Sequence, residues 1–473
     1  MYELLIYFPL LLALMSIVLR NKTFSVFILP VWSIVQTVII FFLVFGKFSF
    51  LYHGTEKYFA VDNLSGLFLI ITGFLFIGSS FHSIDALRER DKRDSSFYTF
   101  NLLVFVFAVN ALLMSRHLGL MWVFIEATTL SGAMLIYFEK KHSSIEAAWK
   151  YIFICSIGVA FAFIGIIFLS AASTHSVNLF FSEMNINAPL MDKTWLKFGY
   201  TFALIGFGTK MGLAPVHSWL PDAHSEAVWP VSAMLSGALL NGAFLAIMKL
   251  TRITELAGIR SFSSKLLLVM GVLSVLTAAV FVQKTKNYKR LLAYSSIENM
   301  GILSLCLYAG GGALFAALIH ALGHSLIKAS LFLTSGNIYR RYHSKEIFNV
   351  SGLISTDRLS AIIWIVSFFC IIASPPGLLF VSEILLFKEL MQKESYGLII
   401  LLFVLLAAVV YGAAFGLLKI CVGEAPLDID KKRFSLRNYI PQIIFVSIVI
   451  ILGIYMPASF KSFIDIALEV IIK

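Results

Sequence analysis

Apolar runs, each about as long as the 20 residues a membrane helix needs, recur through almost the whole chain. They fall near 3–19, 24–46, 60–82, 97–115, 118–138, 149–171, 196–216, 228–249, 264–283, 290–308, 311–339, 359–391, 396–420 and 438–456. Lipid offers no water to backbone groups, so each run must close its own hydrogen bonds as a helix; the runs are too long for barrel strands. Composition agrees: 59% of the 473 residues are hydrophobic and 13% are charged, too few charges to cover a soluble protein of this size. The expectation is an all-α integral membrane protein of about fourteen transmembrane helices. The stretch from Ala458 to Lys473 reads as a short amphipathic tail. The first run ends without a small-residue cleavage site and further runs follow, so it reads as a span and not as a signal peptide.

The net charge of +11 does not point to nucleic acid, because the basic residues cluster in short loops between apolar runs. Loops after odd-numbered spans hold Arg20 and Lys22; Arg88, Arg90, Lys92 and Arg93; Lys140 and Lys141; Lys284, Lys286, Lys289 and Arg290; Arg340, Arg341 and Lys345; and Lys431, Lys432 and Arg433. By the positive-inside rule both termini lie outside a bacterial or archaeal inner membrane. Cys155, Cys306, Cys370 and Cys421 are isolated and read as small packing residues, not as a metal site. No soluble segment interrupts the spans, so no cofactor is expected.

Two spans look broken. The seventh carries Gly212-Leu213-Ala214-Pro215 and the twelfth carries Ser374-Pro375-Pro376-Gly377. Proline removes a backbone donor and collides with the preceding turn. A pair of Gly/Pro-interrupted spans at matching positions is the mark of an inverted-repeat transporter. A weak match between Ile125-Glu126-Ala127 and Ile297-Glu298-Asn299 supports the same division. The expected organisation is residues 1–95 (spans one to three), 96–255 (first five-helix repeat), 256–425 (second inverted repeat, with broken helices 7 and 12) and 426–473 (span fourteen and tail).

A charge at the bilayer centre costs at least about 2.5–3.5 kcal/mol, so each needs a partner or a role. Glu126, Lys210, Glu298, Lys328 and Glu383 lie well inside apolar runs. His320, His324 and Lys328 are spaced i, i+4, i+8, which stacks them on one helix face. Imidazole can donate and accept, and so relays protons. A Glu126–Lys210 pair would hold the lysine proton while closed and release it when opened. Together these residues read as a proton path. His217, Asp222, His224 and Glu226, after the first break, and Asn241 in the eighth span are candidates for the intake side or for bridging. Carboxylate and hydroxyl oxygens at Glu126, Thr128 and Thr129 leave Na⁺ open as the carried ion. Glu3, Asp62, Asp85, Glu139, Glu146, Lys150 and Lys249 lie near span ends, where they are expected to snorkel or to face loops.

The motifs around these residues resemble a known family. KMGLAPVHSWLPDAHSEA at 210–227, VSAMLSGALLN at 231–241, NYKRLLAYSSIENMG at 287–301 and HALGHSLIKASLFLTSGNI at 320–338 are similar to the proton-conducting membrane transporter signature. That family includes antiporter-like subunits of complex I, Mrp antiporters and energy-converting hydrogenases. WVFIEATTLSGAMLI at 122–136 and SIEAAWKYIFICSIGVAFAFIGI at 144–166 are most similar to F-type components of hydrogenase 4. The resemblance implies a proton-translocating, non-catalytic subunit of a redox complex. It implies as partners other hydrophobic antiporter-like subunits and a peripheral redox arm. Under it, Glu126 is the fifth-span glutamate, Lys210 its seventh-span partner, Lys328 the central lysine with His320 and His324 beside it, and Glu383 the exit residue. Where many members carry an eighth-span Lys or His, this chain has Asn241. That leaves the step from Lys210 to Lys328 to water or Glu298.

Overall fold

The computed structural model describes residues 2–46, 57–173, 178–426, 429 and 434–472. Lys431, Lys432, Arg433 and Lys473, used above for orientation and for the tail, lie outside the described residues. The described residues form helices and turns, with isolated bridges but no strand. The helices are α1 (Tyr2–Leu19), α2 (Lys22–Phe45), α3 (Asn63–Ala86), α4 (Lys92–Met114), α5 (Leu118–Ile136), α6 (His142–Ala172), α7 (Phe181–Asn187), α8 (Lys193–Met211), α9 (Trp219–Glu226) and α10 (Trp229–Met234). They continue as α11 (Leu240–Leu256), α12 (Arg260–Val282), α13 (Tyr288–Ala309), α14 (Gly312–Tyr342), α15 (Leu353–Thr356), α16 (Arg358–Ile371), α17 (Leu378–Gln392), α18 (Tyr396–Lys419), α19 (Ile440–Ile454) and α20 (Ala458–Ile472). The side chains of Asn21, Asp62, Asp91, Asp192 and Asn287 accept from the first free N–H groups of their helices.

Eleven helical stretches are long and apolar enough to cross a membrane, or twelve if α19 and α20, which meet at 91°, count as one. The expected seventh and twelfth spans are not among these eleven; around their prolines the chain forms α8 and α9, and α16 and α17. A π-helical turn at Leu235–Leu239 joins α10 to α11, so this stretch is continuous but locally underwound.

Burial runs against hydropathy. The least apolar crossing helices, α13 and α14, are 89% buried, whereas the most apolar, α18, is 33% buried. Lipid solvates apolar faces freely, so the polar helices move to the centre, where other helices can satisfy them.

Helices α6 and α8 pack antiparallel through small residues. A Cβ on Gly165 would stand 2.5 Å from the Ala203 amide, and one on Gly206 would stand 2.5 Å from Ala162. Gly158 faces Thr209 in the same way. One turn further along this seam come Cys155 on α6 and Lys210 on α8, so the small residues set the distance between the two helices where the first buried charge lies.

Both breaks satisfy their freed backbone groups with protein. Gly212, at φ +80°, ends α8 in the left-handed conformation, and the Leu213 amide returns to the Gly208 carbonyl. The Ala214 amide donates to Ser274 Oγ at 2.9 Å, and the Trp219 indole donates to the Thr209 carbonyl at 2.8 Å. At the second break the Ser374 amide returns to the Phe369 carbonyl and the Gly377 amide to the Ser374 carbonyl.

The near-end charges do not all snorkel. Asp85 is buried and accepts from Arg437 at 2.7 Å, with Arg340 at 3.6 Å. The Lys249 ammonium lies 5.0 Å from the centroid of the Phe181 ring. Asp62 caps α3. Glu139 pairs with Arg90 and Lys141, and Lys150 pairs with Glu146 and Asp222, near the span ends as expected.

Candidate functional site

On α5, Glu126 is half-buried and accepts from Ser156 Oγ at 2.9 Å and from Thr129 Oγ1 at 3.0 Å. Lys210 is fully buried. Its ammonium donates to the Tyr151 hydroxyl at 3.3 Å and lies 4.9 Å from that ring's centroid. The Tyr151 hydroxyl donates in turn to the Thr128 carbonyl of α5, at 3.4 Å. Glu126 and Lys210 are therefore neighbours that do not touch. A one-turn step on α6, from Tyr151 to Cys155 and Ser156, stands between them. The direct ion pair expected from the sequence is absent here.

Lys328 is fully buried on α14 and donates to the Leu292 carbonyl of α13 at 2.5 Å and to Ser295 Oγ. One turn further along α13 are Glu298 and Asn299. The Asn299 amide nitrogen donates to the Ser295 carbonyl at 2.6 Å and to Glu298 Oε2 at 3.3 Å, which turns its oxygen to His320 Nε2 at 3.0 Å. His320 Nδ1 meets Ser382 Oγ of α17 at 2.9 Å. The next residue, Glu383, is half-buried, with no hydrogen-bond partner for its carboxylate among the described residues. Glu298, Asn299, His320 and Ser382 thus form an unbroken line of contacts across α13, α14 and α17, ending beside Glu383.

His324 lies between His320 and Lys328 on the same face. Among the described residues neither of its ring nitrogens has a partner, nor does either nitrogen of His224, whose ring stacks on Phe332 at 4.6 Å. Asn241 donates to Ser325 Oγ at 2.8 Å, and its own oxygen is buried with no partner among the described residues. The His217 Nδ1 atom, in the first break, is likewise buried and unpartnered. Asp222 and Glu226 belong to the basic face. Asp222 pairs with Arg290 at 2.5 Å and Lys150 at 3.1 Å. Glu226 accepts from Ser143 at 2.9 Å and from Lys345 at 3.2 Å. Burial alone would raise the Glu226 carboxyl, but the Lys345 charge and bonds from Ser143 and Ser225 outweigh it and hold it below its ordinary value.

Sequence reasoning missed Tyr151, Ser156, Ser295, Asn299 and Ser382. Their one available signal was position, one turn or one residue from a flagged charge.

Residues 115–409 match the family model described as NADH:quinone oxidoreductase/Mrp antiporter, transmembrane. The chain belongs to this family. It is 33% identical over 414 residues to a hydrogenase-4 component F homolog of Methylacidiphilum infernorum, covering 85% of this chain and 86% of that one. Its fold matches a chain of the membrane-bound sulfane sulfur reductase, an archaeal respiratory membrane complex, with TM-score 0.89 and 20% identity over 100% and 98% of the two chains. It also matches a chain of the Mrp complex from a Dietzia species, with TM-score 0.87 and 18% identity over 99% and 96%. As a member of the NADH:quinone oxidoreductase/Mrp antiporter family, the protein is a multi-span, antiporter-like membrane subunit.

Proposed function

We propose that this subunit moves protons through Glu126, Lys210, Lys328, Glu298, His320 and Glu383, with His324 as a water-linked side station. The observation that carries this reading is the line Glu298–Asn299–His320–Ser382 beside two fully buried lysines. Ion pairs that only fix helix register would bring the opposite charges together. Here Lys210 and Lys328 bond to neutral oxygens, which leaves each free to lose its proton without stranding a carboxylate. Water would join Lys210 to Lys328 past Asn241, His224 and His324, whose unpartnered polar atoms need it.

In the full reading the chain crosses the membrane fourteen times with both termini outside. Residues 96–255 and 256–425 form the two inverted repeats. Proton movement is coupled to electron transfer in a peripheral redox arm, as the hydrogenase-type relative suggests. The lysines argue against Na⁺ as the carried ion, since an ammonium repels it where oxygens would hold it. The test is Lys210→Met in the assembled complex in sealed vesicles. We expect normal assembly and strongly reduced proton movement. Assembly and proton movement lost together would make Lys210 a structural residue. A sodium requirement for pumping by the unaltered complex would favour the sodium reading.

A further inference from the structure

We propose that the notch formed by the α12–α13 turn, the turn at Ile347–Asn349 and the end of α18 holds the headgroup of an anionic phospholipid. It is a cavity of about 150 Å³ whose lining includes Lys284, Lys286, Val282, Phe348 and Phe415, and no carboxylate. Neither lysine ammonium has a hydrogen bond or ion pair among the described residues, and Glu346 in the neighbouring turn pairs with neither. A third cation stands at the rim. The Lys419 ammonium is 3.9 Å from the Phe348 ring centroid and 5.7 Å from that of Phe415, and it has no carboxylate partner among the described residues.

Elsewhere on the basic face several charges are tied up in pairs, such as Arg90–Glu139, Lys140–Asp94, Arg290–Asp222 and Lys345–Glu226, whereas here three cations gather around one concavity. Unpaired cations around a concavity attract an anion. The ligand is a lipid and not a free oxyanion because of what continues from the rim. Val280, Phe281, Tyr411 and Phe415 are 45%, 45%, 73% and 63% exposed on α12 and α18, an apolar wall leading away from the lysines. A phosphate at the rim with acyl chains along this wall uses both halves of the surface. The Thr285 hydroxyl and Gln283 amide already donate to the Phe281 and Ala279 carbonyls, which leaves recognition to the lysine charges.

The test is native mass spectrometry of the purified protein in detergent, with phosphatidylglycerol, phosphatidylcholine or inorganic phosphate as probe. The variants are Lys284→Gln/Lys286→Gln/Lys419→Gln and, as a charge-matched control on the same face, Arg88→Gln/Lys92→Gln/Arg93→Gln. We expect one phosphatidylglycerol to be held at least about tenfold more tightly than phosphatidylcholine, a preference lost in the lysine variant and kept in the control. The proposal is overturned if the lysine variant keeps the preference, or if the control loses it equally, which would indicate diffuse surface attraction. It is also overturned if inorganic phosphate displaces the lipid at comparable concentration, which would indicate an oxyanion site without a lipid.

Discussion

His320 has two neighbours that are both arranged to accept. Asn299 spends its amide hydrogens on the Ser295 carbonyl and Glu298, so its oxygen faces the ring and Nε2 must carry a proton. Ser382 Oγ lies 2.7 Å from the Leu379 carbonyl; while it donates there, it can only accept from Nδ1. A neutral ring needs the Ser382 hydroxyl to swing round, and a charged ring does not. One hydroxyl rotation thus tracks the gain or loss of a proton, as a relay requires. The i, i+4, i+8 stripe that led to His320 was legible in the sequence, but Asn299 and Ser382 were not. Serine and asparagine in helices commonly bond back to their own backbone, and nothing in the sequence separates those that reach across. Tyr151 was hidden in the same way among many aromatic residues. Tyr151→Phe keeps the ring under the Lys210 ammonium and removes only the hydroxyl. We expect normal assembly and proton movement slowed by about tenfold or more, read with a pH indicator in sealed vesicles. An unchanged rate would remove Tyr151 from the path.

The elements place these residues by close approach and by controlled interruption. On the α6–α8 seam, Gly206→Leu would drive a branched side chain into the Ala162 backbone. Overpacking of this kind costs about 1–3 kcal/mol, so the melting temperature in detergent should fall. Because Lys210 lies one turn beyond, proton movement should fall with it, whereas Phe198→Leu, on the exposed side of α8, should change neither. The breaks were legible from their prolines, and the partners that satisfy them were not. Ser274 and Trp219 come from another helix and from beyond the break, respectively, and both contacts are tertiary. At the intracellular end of the proposed orientation, the Glu226 carboxyl is held below its ordinary value, mainly by Lys345 against the effect of burial. A depressed carboxyl contributes stability that is present above its unfolded value and lost as pH falls through the folded one. Hydrogen exchange at the end of α9 should therefore quicken as the medium is acidified through that range, and Glu226→Gln should remove this pH dependence. An equal acid response in the Gln variant would assign the effect to another group.

For the molecule as a whole, the sequence established an all-helical membrane bundle and its family, because long apolar runs and long specific motifs leave few alternatives. It did not reveal which helices stand at the centre. The α10–α11 stretch is buried throughout its span, yet its Ala, Gly and Leu residues suit a lipid-facing surface equally well. Nor did it show that Asp85 is buried, since its partners Arg340 and Arg437 are remote in sequence. The buried axis draws residues from α5, α6, α8, α13, α14 and α17, and Lys328 stands on α14 against α13. The central claim, that this axis carries protons, is tested most directly there. In sealed vesicles containing the assembled complex, the measurement is protons moved per electron pair transferred, for the unaltered chain and for Lys328→Arg. Arginine keeps the positive charge and the hydrogen bonding but does not release a proton. The account predicts that assembly survives and that the ratio falls sharply; an unchanged ratio with arginine at 328 would contradict it.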